Sequence, residues 1–293
     1  MEPALFSKFV IVALPAFVGQ MFCFFMRRSG KNTMLVRLVW KWSGVLAFTA
    51  LFGFALEYLM AGKNFYALLG ISLTLVVLAD TVWTRIAIAA FSATLPRRFI
   101  KPRQIDNAWR PGNFFYELKR QIENAGFKKC LSLRSDFPDN NDIYELSTHF
   151  LSKDKKTLLS VSFAMERMDL QTFFTLESKT DTLRIITGNQ CLTDGLYFPS
   201  DYRRELRLWV CKFEKILKLH KKRTSQETLI DIPTPTLETL WCDCIDIENE
   251  NLKRGILTPH SEIEEYGILT SDGKYKLWMD TLLLNYFAIT PKS

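Results

Sequence analysis

Acidic side chains are nearly missing from the first third of this chain. Up to residue 99 the only ones are Glu2, Glu57 and Asp80, set against the ten bases Lys8, Arg27, Arg28, Lys31, Arg37, Lys41, Lys63, Arg85, Arg97 and Arg98. The whole chain holds 38 Lys and Arg and 31 Asp and Glu, so residues 100–293 keep 28 of each and are formally neutral. A basic chain raises the question of nucleic acid, because phosphate neutralisation needs clustered Lys and Arg. Here the excess flanks apolar runs, as the orientation bias of membrane insertion predicts, so no nucleic-acid partner is expected.

Catalytic signatures are missing as well. There is no glycine-rich phosphate loop, no GxSxG elbow and no HExxH pair, which removes the usual marks of phosphoryl, acyl and metal-assisted chemistry. The three histidines, His149, His220 and His260, stand far apart. Six cysteines lie at 23, 130, 191, 211, 242 and 244, without the paired spacing of a zinc ribbon or finger. Cys242 and Cys244 would point about 200° apart on a helix, and no neighbouring pair completes four ligands. No cofactor and no metal are expected, and an enzyme would need a site assembled from distant residues.

Long apolar runs are what the sequence has. Phe9–Met26 is an 18-residue stretch whose one strongly polar member is Gln20, close to the length that crosses a hydrocarbon core. Pro15 inside it predicts a kink that neighbouring helices can accommodate. A cleaved signal peptide is the rival reading, opposed by the missing small-x-small cleavage site and by the basic residues that follow. A second run covers Ser43–Met60, preceded by Trp40 and Trp42 at an interfacial position. Only residues 61–64 separate it from the third, which starts at Phe65 and continues past Asp80 and Arg85 to Phe91, so these two predict a tight antiparallel hairpin.

The loops orient these runs. Arg27–Lys41 carries five bases and no acid, and Arg97, Arg98, Lys101 and Arg103 follow the third run. Both segments are expected on the cytoplasmic side, with the N-terminus and the Lys63 loop outside. Glu57 and Asp80 form a candidate intramembrane polar site, since an ionisable group within a span is costly and often marks an ion or proton path. The structural alternative is that both lie near helix ends, with Arg85 offsetting Asp80.

After a basic linker over residues 96–113, the pattern changes. Phe114–Ala125 places Phe115, Leu118 and Ile122 on one helical face, with Gly126 as the stop. Four segments with strand character follow, at 143–152, 157–166, 172–180 and 182–189, and their short connectors predict an antiparallel meander. A second helix is expected over Tyr202–Lys222, with a stripe of Leu206, Trp209, Val210, Phe213 and Leu217 and otherwise basic faces. Its Lys215, Lys218, Lys221 and Lys222 are candidate contacts for anionic lipid headgroups, the alternative being an ordinary solvated face. Beyond Pro233 and Pro235, Thr236 should cap an acidic helix. Ser271, Asp272 and Gly273 read as a hairpin turn and Trp278–Phe287 as a short buried helix, too short to span a bilayer.

These readings give a membrane anchor of three transmembrane helices over residues 1–95 and an α+β soluble domain over 114–225, its antiparallel sheet flanked by helices. A helical cassette over 236–293 either joins that domain or stands apart. The function this architecture predicts is the presentation of a cytoplasmic binding or scaffold module to a protein partner or to the leaflet. The alternatives are an oligomeric channel or transporter component using Asp80 and Glu57, and an enzyme with a dispersed site.

Overall fold

The computed structural model describes residues 3–28, 34–60, 64–94, 101–109, 111–137, 140–166, 169–190, 195–259 and 268–289. In chain order the first elements are helices α1 (Pro3–Arg28), α2 (Met34–Leu59) and α3 (Phe65–Thr94), then strand β1 (Arg103–Gln104) and helix α4 (Asn113–Asn124). Strands β2 (Phe127–Phe137), β3 (Asn140–Ser152), β4 (Leu158–Glu166), β5 (Asp169–Lys179), β6 (Arg184–Gly188) and β7 (Tyr202–Leu206) follow. Helices α5 (Phe213–Thr224), α6 (Leu237–Lys253) and α7 (Ser271–Phe287) complete them. The chain forms two compact units, one of residues 1–95 with 274–291 and the other of residues 96–273.

In the first unit the helices meet through small side chains. Ala16 and Cys23 of α1 are fully buried against α2, where Val36 and Ser43 are buried. A side chain at Gly19 would begin 2.9 Å from the Cβ of Ser43, so the approach of α1 and α2 depends on glycine there, while one at Gly53 would begin 3.1 Å from the flexible end of Leu69, a tight but yielding contact between α2 and α3. Two of the buried hydroxyls are satisfied locally, Ser43 donating to the Val39 carbonyl and Ser72 to that of Leu68. Small residues and locally bonded hydroxyls are the means by which helices pack where burial of apolar surface supplies little drive. The large side chains face the other way: Phe17, Phe48, Leu51, Phe52, Ile71, Leu78 and Trp83 are all exposed. Met34–Leu59 and Phe65–Ala90 are long and apolar enough to cross a membrane, and the described apolar part of α1, Val10–Met26, is shorter.

The second unit is built on a seven-stranded sheet in sequential order β1 to β7. Pairs β1 to β6 are antiparallel, as the meander predicts, but β7 lies parallel to β6, so the sheet is mixed rather than antiparallel. Residues 189–201 supply the dozen or so residues such a parallel return needs. The register puts Phe150, Leu159 and Leu176 in one row and Val161 and Phe174 in the next. This face buries its side chains against Leu118 and Ile122 of α4 and Phe213 and Ile216 of α5. On the opposite face Leu151 and Leu158 pack with Ile232, and Leu240 of α6 joins them.

Three expectations need correction. Tyr202–Leu206 is strand β7, and α5 begins only at Phe213. The apparent stripe from Leu206 to Leu217 therefore crosses an element boundary, and Trp209 is half exposed rather than in the core. Ser271–Gly273 is the first turn of α7, with the Thr270 hydroxyl accepting from the Gly273 amide at 3.2 Å. Glycine is required there by crowding rather than by a turn, since a Cβ would stand 2.4 Å from the Ile256 carbonyl oxygen. The acidic helix does start at Thr236, whose side chain and that of Thr239 cap each other's backbone amides.

Candidate functional site

Asp80 sits mid-way along α3 and is the centre of a three-helix polar cluster in the first unit. Lys41 of α2 places its Nζ 2.6 Å from both carboxylate oxygens. The Tyr286 hydroxyl of α7 donates to Oδ2 at 2.6 Å, and the Lys41 ammonium stands 5.0 Å from the Tyr286 ring centroid. Two indoles extend the cluster along the helices. Trp42 donates to the Tyr286 carbonyl at 2.9 Å and meets its ring edge-on, while Trp278 donates to the Thr81 carbonyl at 3.0 Å. Burial, then the hydrogen bond to Asp80, pushes the Tyr286 phenol well above its ordinary range, so it remains a donor. Such an arrangement fastens α2, α3 and α7 together with a partly exposed, doubly paired carboxylate.

Asp80, Arg85 and Glu57 are thus not brought to one place. The charge partner of Asp80 is Lys41, and Arg85 instead stacks over the Trp278 ring at 5.6 Å. Glu57 is half-buried in the last turns of α2, sixteen positions beyond Lys41, which on a helix is roughly 24 Å away. Lys41 and Tyr286 lie 245 residues apart, so no local pattern could pair them with one carboxylate. Trp42 at an interfacial position was the one signal.

In the second unit α5 buries Phe213, Ile216 and His220 and turns Lys215, Lys218, Lys221 and Lys222 to solvent. Among the described residues none of these four has an acidic partner within ion-pair distance, whereas several other bases of the unit do: Lys101 with Glu238, Lys156 with Asp231, Arg184 with Asp243, Arg254 with Glu250. Beside them a groove of about 450 Å³ separates α5 from the end of α4, with Phe213, Leu217 and Ala125 as apolar lining and Gln121, Lys218 and Lys221 among its polar groups.

Two histidines are buried and hydrogen-bonded to hydroxyls. His220 meets the Ser178 hydroxyl at 2.9 Å through Nε2 and the Thr187 hydroxyl at 3.0 Å through Nδ1. His149 meets Ser160 at 2.8 Å. Burial lowers both imidazoles to about 4, so they are neutral at physiological pH. Ser178 is completely buried, so the Ser178–His220 pair gives no substrate access to a nucleophile. Among the described residues no three His, Cys, Asp or Glu side chains converge as a metal site would require. Cys242 is exposed; Cys244 is raised to about 11 by burial and the neighbouring acids, which keeps its thiol protonated. Cys191 and His260 lie outside the described residues.

No family model matches the chain, and neither a curated protein nor a solved structure is significantly similar to it.

Proposed function

We propose that this protein is an integral membrane anchor that presents an α+β binding module to the cytoplasm. In this reading α1, α2 and α3 all cross the bilayer, the N-terminus lies outside, and the Arg27–Lys41 segment and the second unit lie inside. The observation that carries it is the inverted packing of α2 and α3. Less than a third of either span is buried within the protein, and Phe48, Phe52, Leu75 and Leu78 stand outward while glycine and serine fill the contacts. In water that outer surface would be a large uncovered apolar patch, whereas lipid tails cover it at no cost. Positive charge on the Arg27–Lys41 segment and the linker supports the orientation. The binding role in this reading rests on the tethering itself and on a sequence without the usual catalytic motifs.

The experiment is extraction and labelling of the full chain in sealed native vesicles. Detergent, but not alkaline carbonate, should release it, and a membrane-impermeant maleimide should reach the exposed Cys211 and Cys242 only after cytoplasmic-side access is opened. Carbonate release would overturn the anchor, and labelling from the outer side would overturn the orientation.

A further inference from the structure

We infer that the outer face of α5, with the groove between α4 and α5, binds the phosphate headgroups of anionic lipids. This rests on the membrane-anchor reading above and names the partner of the presented module.

Charge is the first ground. Residues 100–293 are neutral as a whole, yet α5 carries Lys215, Lys218, Lys221, Lys222 and Arg223 against the single acid Glu214. Arg223 is consumed internally, by Glu205 and by the Ile186 carbonyl, so the four lysines are what the helix offers outward. At 100° per residue Lys215, Lys218 and Lys222 lie within about 60° of one another, directly opposite Phe213 and His220. A lysine row backed by a firmly buried face can lie flat on a negatively charged surface, each ammonium reaching out on its own stem.

Shape is the second ground. Lys218 and Lys221 also line the α4–α5 groove, two ammonium groups against the one carboxylate of Glu214, and the Gln121 and Asn124 amides add hydrogen-bond donors beside an apolar lining. The β3–β4 turn brings another base to the same end: the Lys153 amide bonds the Gly126 carbonyl, and the Lys153 stem passes 3.9 Å from the Cβ position of Gly126, next to groove residue Ala125. Lys153 is exposed and, like the four, has no acidic partner among the described residues. Ammonium and amide donors around a partly apolar cleft suit an anionic oxygen cluster attached to an acyl-bearing body. An acidic protein segment would satisfy the row without using the groove. A leaflet is also permanently at hand, because the chain on both sides of the second unit continues into helices of the first, and tethering raises the effective concentration of its surface.

The test uses the full chain in phosphatidylcholine nanodiscs, mixed with phosphatidylcholine vesicles with or without phosphatidylserine. Binding is expected only to the anionic vesicles and should weaken as salt rises. The quadruple variant Lys215→Gln, Lys218→Gln, Lys221→Gln and Lys222→Gln should lose up to roughly several hundredfold at about fivefold for each lysine that reaches the leaflet, and at least about tenfold if only two of them do. The double variant Lys218→Gln and Lys221→Gln should lose more than Lys215→Gln with Lys222→Gln, since only the first pair lines the groove. Inorganic phosphate at matched ionic strength should not displace the vesicles more than chloride does; stronger displacement would assign the groove to a free anion instead. Equal binding of wild type and quadruple variant, binding to neutral vesicles alone, or capture of a poly-glutamate peptide with neither vesicle bound would each overturn the inference. Failure of the chain to enter nanodiscs would strike the anchor reading, and the same vesicle comparison, run on the free chain, would still decide the headgroup question.

Discussion

Replacing Asp80 by Asn leaves the Lys41 ammonium, three-quarters covered, without its carboxylate, while the Tyr286 hydroxyl keeps an acceptor. A hydrogen bond to a charged group contributes roughly 1.5–3 kcal/mol, so Asp80→Asn should destabilise the helical unit by about 2 kcal/mol and Tyr286→Phe by about 1 kcal/mol. Thermal unfolding in detergent measures both. Lys41→Met combined with Asp80→Asn should cost less than the two single changes added together, because each alone strands a charge or its partner. Additive costs would mean that the pair contributes nothing. The buried histidines make a second residue-scale case. As pH falls through 6.5 the unfolded chain protonates its imidazoles, whereas His149 and His220 in the fold take a proton only near 4. Between those values the unfolded state binds more protons, so stability falls as pH falls, by up to about 3 kcal/mol for each histidine. Denaturant titrations at pH 7 and pH 4.5 should differ accordingly, and a His220→Gln variant should show a shallower slope. Identical midpoints at the two pH values would show that the histidines are not held neutral.

Elements were legible where a pattern and its stop signal coincide. Phe115, Leu118 and Ile122 with Gly126 located α4, whereas the alternation of Leu159, Val161 and Phe163 with Leu158, Ser160 and Ser162 in β4 points to one covered face and the structure covers both, the first set by α4 and α5 and Leu158 by Ile232. Reading failed where periodicity ran across a boundary. Leu206 and Phe213 keep helical spacing by accident, and the Arg-rich Tyr202–Leu206 is held as a strand by pairing with β6, a tertiary effect that no local window contains. The start of α7 was missed for a related reason. Ser-Asp-Gly is turn chemistry in isolation, and only the carbonyl of Ile256 makes Gly273 a packing residue. Two changes test this element. Thr270→Ala removes the cap on the Gly273 amide and should cost about 1 kcal/mol, whereas Gly273→Ala forces a Cβ against backbone and should cost at least about 2 kcal/mol despite the better helix propensity of alanine. If Gly273→Ala is the milder change in thermal unfolding, the crowding at Ile256 is not a constraint. The candidate site was legible in parts: the α5 lysines and Asp80 stood out as charges, but their partners, or lack of them, required the fold.

At the scale of the whole molecule, the two units are interleaved in sequence. The second unit is inserted between α3 and α7 of the first, so the chain returns to the helical unit after completing the sheet domain. Composition gave no hint of this, because α7 has neither the length of a span nor an amphipathic stripe, and its place is set by Trp278 on Thr81 and Tyr286 on Asp80 and Trp42. Interleaving has a mechanical consequence. A chain with a protease site inserted within residues 95–100, once cut and washed with high salt to release the α5 lysines from headgroups, is held by α7, whose buried Leu277, Leu284 and Tyr286 and indole bonds must then act without covalent help. The cleaved fragment should stay with the membrane through a high-salt wash, since its attachment combines apolar burial with partly covered hydrogen bonds that salt screens weakly. Trp278→Ala with Tyr286→Ala removes two large aromatic side chains from that attachment, a loss of several kcal/mol, and the cleaved double variant should appear in the supernatant. Retention of the double variant would place the attachment elsewhere, whereas release of the cleaved wild type would show that α7 follows the sheet domain rather than the spans.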